Sequence, residues 1–110
     1  MTVSEREPIA YMNGDFIPAE ECKLPVYDMG ITLGAGVTDF VRTFEGEPYR
    51  LSDHVNRLYR SCRYAHIDPP IDIEESKEVT RRLIAHNRKA AGGVELGVIY
   101  YVTAGNHSVY

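Results

Sequence analysis

A helix cannot run through Pro69-Pro70, because a proline ring removes a backbone donor and pushes the residue before it out of helical space. The pair therefore separates two amphipathic segments. Upstream, Ser52 or Asp53 is a candidate N-cap, and Val55, Leu58, Tyr59 and Cys62 recur at i, i+3, i+4 and i+7, the core face of a helix ending near His66. His54, Arg57, Ser61 and Tyr64 fall on a neighbouring face. Downstream, Asp72 with Glu75 forms an acidic variant of a capping box. The helix it starts carries Val79, Leu83, Ile84 and His86 and runs to a stop at Gly92-Gly93. Its charged residues, among them Glu74, Lys77, Glu78 and Arg81, read as a solvated face with local ion pairs.

The strand signals lie on either side of this helical pair. Asn13-Gly14 between Ile9–Met12 and Asp15–Pro18 predicts a tight hairpin, whose second arm ends or lies at an edge at Pro18 because proline cannot donate to a ladder. Gly30, Gly34 and Gly36 then concentrate backbone freedom, but their spacing does not fit a dinucleotide-binding fingerprint and no βαβ unit follows. From Gly36 the alternation sets Val37, Asp39, Val41 and Thr43 on one strand face, with Thr38, Phe40, Arg42 and Phe44 on the other. Glu45–Pro48 reads as a turn and Tyr49–Leu51 as a short return strand; Val94–Thr103, built on Val98–Val102, reads as a central strand. The order predicts an α+β fold of two layers, a mainly antiparallel sheet with two helices on one face.

A chain of 110 residues suffices for a single domain spanning 1–110. Acidic residues exceed basic ones, 16 against 12, which argues against nucleic acid as a partner. No apolar stretch is long enough to span a bilayer, and the beginning is polar, so the expectation is a cytoplasmic protein with no membrane contact. The two cysteines, Cys22 and Cys62, suggest neither a disulfide framework nor a zinc site, and both are expected to be reduced and partly buried. Arg57 reads either as a solvated or salt-bridged surface group, or as a phosphate ligand through its planar fork of donors.

Taken together, several segments resemble the N-terminal domain of the class IV, fold-type IV pyridoxal-phosphate enzymes. These include branched-chain and D-amino-acid aminotransferases, R-selective amine transaminases and aminodeoxychorismate lyase. The resemblance is carried by Tyr11–Gly14 with Pro18, Asp28–Gly30, Gly34–Val37, Asp53–Leu58 with Ser61, and Val102–Gly105. It implies that Arg57 binds the phosphate of pyridoxal 5'-phosphate and that Thr38 stands where relatives line the substrate pocket; Ile99 and Tyr101 alternate toward the same substrate side if the final strand is central, each of the three reading otherwise as core, and His54, on a helix, reads as supporting that helix rather than reacting. It further implies amino-group transfer between an amino acid or amine and a 2-oxo acid, in a homodimer.

Two departures from the family pattern bear on this. The carboxylate-binding arginines of the D-amino-acid and branched-chain types correspond here to Ala104 and Ile99. The family's Schiff-base lysine lies in a second, larger domain, and Lys23, Lys77 and Lys89 match no such position. The expectation is therefore that no catalytic residue lies in this chain, that the larger domain is absent from it, and that alone it is inactive. Two alternatives follow: an aminodeoxychorismate lyase domain of the same fold, or a stand-alone, non-catalytic dimerisation module.

Overall fold

The computed structural model describes residues 4–106, so Met1–Val3 of the polar lead lie outside it. Strands β1 (Ile9–Met12) and β2 (Asp15–Pro18) form the expected hairpin, antiparallel with Ile9 opposite Pro18. Asn13 and Gly14 turn it with φ of 50° and 97°, the left-handed pair that matches strand twist. A one-turn helix α1 (Met29–Thr32) follows, capped by the Asp28 carboxylate on the Gly30 amide at 2.7 Å.

The main sheet has the order β4-β3-β5, built from β3 (Gly36–Phe44), β4 (Glu47–Pro48) and β5 (Gly97–Thr103), all antiparallel. Two expectations change here. The central strand is β3, and the apolar run in β5 occupies an edge among the described residues. The return strand is Glu47–Pro48, because Glu45 and Gly46 complete the turn in two residues with φ of 51° and 80°. The Glu95 carboxylate secures that turn, accepting from the Glu45 amide, from the Gly46 amide at 3.0 Å and from Thr43 Oγ1 at 2.9 Å.

Helix α2 (Leu51–Tyr64) starts earlier than its capping residues suggested. Arg50, at φ 54°, turns the chain into it without any side-chain cap, and Asp53 instead pairs with Arg50 at 2.8 Å. Leu51, Val55, Leu58 and Cys62 are its buried residues, and Val41 of β3 packs with Leu51 and Val55 at the core. Tyr59, Ile73 and Tyr100 close around that cluster. The helix ends with His66 in the left-handed region and Ile67 bonded back to Cys62, a glycine-type C-terminal motif made with histidine.

Helix α3 (Ile73–Ala90) is capped by Asp72 on the Glu75 amide at 2.8 Å and ends at Gly92-Gly93, as the sequence predicts. Its buried residues are Ser76, Thr80 and Ile84 rather than a purely aliphatic row. Asn87 brackets Ile9, donating to its carbonyl at 2.9 Å and accepting from its amide at 2.8 Å, which ties the hairpin to this helix. Cys62 is buried and Cys22 exposed, so only one thiol matches the expected burial. No helix among the described residues is long and apolar enough to cross a membrane.

Candidate functional site

Alternation along β3 decides where the site lies. Asp39, Val41 and Thr43 turn inward beneath the helices, and Thr38, Phe40, Arg42 and Phe44 turn outward. A carboxylate on the inward face must be paired, since an isolated buried charge is costly. α2 supplies two partners at i and i+3, which point the same way from a helix.

Arg57 Nε donates to Asp39 Oδ2 at 2.7 Å and Nη2 to Oδ1 at 2.7 Å, a bidentate pair. His54 Nδ1 lies 2.9 Å from the same Oδ1, which also accepts from the Phe40 amide at 2.8 Å. A bare Nδ1 would set its lone pair against the carboxylate, so the imidazole proton belongs on Nδ1. The Arg57 Nη2 contact with Nδ1 at 3.3 Å is then a close approach of two donors, not a bond.

The burial of the partners is unequal. The Asp39 side chain is 2% exposed and that of Arg57 57% exposed. Hydrogen bonding from Arg57 holds the Asp39 carboxyl well below the usual carboxylate range; burial opposes this and His54 assists it. The same bond to Asp39 raises Arg57 above its ordinary value. Among the described residues Arg57 Nη1 has no hydrogen-bond partner. Two of the five guanidinium donors are thus fixed on a buried anchor while the Nη1 edge is uncommitted.

The other predicted site residues gather on the opposite side of the sheet. Thr38 lies directly across from Tyr101 and Phe40 from Ile99, so Thr38, Ile99 and Tyr101 share the outer face. Ile99 is 74% and Tyr101 46% exposed. The Tyr101 ring closes over the glycine turn: a Cβ on Gly36 would come within 2.8 Å of its ring, and one on Gly30 within 2.5 Å of its hydroxyl. The three outer-face residues therefore come together, while Arg57 sits on the helix side. A separate groove of about 670 Å³ between β4 and the end of α3, lined by Arg81, Arg88 and Lys89 among others, includes none of the four.

Asp39 is the residue that sequence reasoning left out of the site. Its signal was present, an acidic residue on a strand face otherwise made of Val37, Val41 and Thr43, with His54 and Arg57 three apart on the next helix. No group of three or more His, Cys, Asp or Glu side chains placed to hold a metal occurs among the described residues.

Comparison with known proteins agrees with this architecture. A branched-chain amino acid aminotransferase from T.th., solved with N-(5'-phosphopyridoxyl)-L-glutamate, superposes with a TM-score of 0.80 at 27% identity, covering 91% of this chain and 34% of that one. A fold IV-transaminase from Curtobacterium pusillum gives a TM-score of 0.73 at 27% identity, over 84% of this chain and 32% of that one. The fold is thus that of the fold-type IV transaminases.

Residues 36–110 match the model of the class IV amino-transferases, and the chain belongs to that family, corresponding to its N-terminal domain. The family is pyridoxal-phosphate dependent. The D-alanine aminotransferase of Staphylococcus epidermidis is 30% identical over 98 residues, which are 89% of this chain and 35% of that protein. A putative branched-chain-amino-acid aminotransferase of Methanocaldococcus jannaschii is 34% identical over 77 residues, 70% of this chain and 27% of that one. The chain spans about a third of the length of the curated relatives it matches.

Proposed function

We propose that this chain is the cofactor-phosphate domain of an aminotransferase that moves an amino group between an amino acid or amine and a 2-oxo acid. The observation that carries this is Arg57, an exposed guanidinium whose Nε edge is locked to a buried carboxylate and whose Nη1 edge is open. These residues fit a phosphate-bearing cofactor. A bidentate donor surface suits phosphate oxygens better than a point charge does, and a side chain held on a helix defines where the anion sits.

Pyridoxal phosphate, when bound, supplies the electron sink that the chemistry requires. The residues here would bind and orient it. Arg57 would hold the phosphate with its open Nη1 edge, and Asp39 with His54 would keep the guanidinium in its plane. Thr38, Ile99 and Tyr101 share the outer face of the sheet, across it from the Asp39–Arg57 pair, and there offer a mixed hydroxyl and apolar surface to a substrate.

No lysine occurs on α2 or β3: Lys23 lies in the loop before α1, Lys77 pairs with Glu74 at 3.3 Å, and Lys89 sits in the last turn of α3. On this reading the reactive lysine belongs to a second domain, and the whole protein is a cytoplasmic homodimer. A substrate carboxylate is held by groups other than Ala104 and Ile99.

The reading is tested at two levels. Expressed with its whole reading frame, the protein should exchange amino groups across a panel of amino acids, amines and 2-oxo acids; no exchange with any pair would refute it. The 110-residue chain, mixed with pyridoxal phosphate and reduced with borohydride, should gain no cofactor mass, and a stoichiometric adduct would refute the assignment of the lysine elsewhere.

A further inference from the structure

We propose that Asp39 is the positioning residue of the phosphate site, fixing Arg57 so that it reads phosphate geometry rather than mere negative charge. The inference rests on the reading of Arg57 as the phosphate ligand and adds a residue to it. A long side chain that is 57% exposed would otherwise sample many rotamers, and ordering it on binding would weaken affinity. Asp39 prevents this from a rigid base. It lies on the central strand, its side chain is 2% exposed, and it grips Nε and Nη2 together, which sets both the direction and the plane of the guanidinium.

The base is itself braced. Tyr100 stands directly opposite Asp39 in the β3–β5 pairing, and its hydroxyl meets Thr80 of α3 at 2.5 Å. His54 reaches the same carboxylate from one turn earlier in α2 and occupies Oδ1 beside the Phe40 amide. Charge alone would give a different design. An aspartate beside the ligand arginine neutralises it and repels an incoming phosphate, so its presence is unfavourable to simple electrostatic attraction. The arrangement makes sense where orientation outweighs net charge.

That opposition gives the test a sign. In the 110-residue chain, dissociation constants are measured for pyridoxal phosphate and for phosphate-free pyridoxal, with wild type, Asp39→Asn, Asp39→Glu, Arg57→Ala and the double variant that combines Asp39→Asn with Arg57→Ala. Positioning predicts that Asp39→Asn weakens pyridoxal phosphate about tenfold, the low end of what losing an orienting outer partner costs at metal sites. Pyridoxal binding should be unchanged, Asp39→Glu should recover most of the loss, and the double variant should be no worse than Arg57→Ala.

Tighter or equal binding of pyridoxal phosphate by Asp39→Asn, with Arg57→Ala still impaired, would overturn the positioning role and leave the phosphate reading intact. An Arg57→Ala variant that kept its preference for the phosphorylated compound would remove both. If Asp39→Asn does not fold, the wild-type Arg57 Nε–H resonance decides. A slowly exchanging signal at neutral pH that persists as inorganic phosphate is added supports the fixed Nε edge, and its loss on phosphate addition overturns it.

Discussion

The brace behind Asp39 can be tested through the Thr80–Tyr100 hydroxyl pair. Thr80 is fully buried, and its Oγ1 has one proton, which goes to the Ser76 carbonyl at 2.7 Å. Tyr100 must then be the donor in the 2.5 Å contact, with Thr80 Oγ1 as acceptor. Thr80→Val keeps the shape and removes that acceptor. It leaves the inward-facing Tyr100 hydroxyl without a partner, at a cost of about 1–3 kcal/mol. Tyr100→Phe removes the donor instead and leaves Thr80 still bonded to Ser76, so it should cost about 1 kcal/mol. Once the valine is present, removing the stranded hydroxyl relieves its desolvation, so the double variant should lie near the milder single one. The coupling is on the order of 1 kcal/mol in favour of the pair. With about 4–8 °C in Tm per kcal/mol for a domain near this size, Thr80→Val should lose at least ~4 °C, resolvable by circular dichroism with urea unfolding as a check. Stabilities that add across the double variant, or a Thr80→Val protein within about 0.5 kcal/mol of wild type, would show that the hydroxyl pair does not brace β5 to α3.

Two further outcomes follow from the site and the core. Asp39 has its carboxyl pKa lowered in the folded state from an ordinary value of 3.8, chiefly by Arg57, so its contribution to stability is fully present above that value and is lost as pH falls toward the folded pKa. The Tm difference between wild type and Asp39→Asn should therefore be constant from pH 7 to about 5 and narrow steadily below about pH 4; a gap that widened on acidification would contradict the pairing with Arg57. Native protein should release one equivalent of thionitrobenzoate from Ellman's reagent, from Cys22, and a second only on unfolding, because Cys62 is buried and burial pushes its thiol pKa up. Rapid reaction of both thiols would mean that α2 opens far more readily than its packing implies.

Local chemistry was enough wherever one segment determines its own shape. Asn13-Gly14 can form only a few kinds of turn, and Asp72 with Glu75 and Gly92-Gly93 mark both ends of α3. It was not enough where a segment's surroundings decide. The run Val98–Val102 is apolar on both faces and so reads as buried on both, yet only Val98, Tyr100 and Val102 turn toward the helices while Ile99 and Tyr101 face outward. Hydrophobicity reports what a strand tolerates, not what covers it. The start of α2 failed for a related reason. Ser52 and Asp53 are good capping residues, but the short β4 delivers the chain to Arg50 in a left-handed turn, and the helix begins before either can cap it.

The site divides along the same line. Arg57 stood out only through the resemblance, in which Asp53–Leu58 joins the Tyr11–Gly14 and Gly34–Val37 segments; alone it reads equally as a surface charge. Asp39 did not, because its meaning is fixed only when β3 and α2 are packed together across 18 residues of chain. Read alone, an aspartate between Thr38 and Phe40 is an ordinary strand residue. Placed on the face that Val41 and Thr43 bury, it has no solvent to carry its charge and must find hydrogen-bond donors and a counter-charge within reach. The nearest helix offers Arg57 and His54 one turn apart, and both converge on it. A charge on the apolar face of a predicted strand therefore constrains the fold as firmly as an apolar stripe does. It requires donors on whatever element covers that face, and in this chain α2 supplies them, with Arg57 and His54 meeting Asp39 of β3.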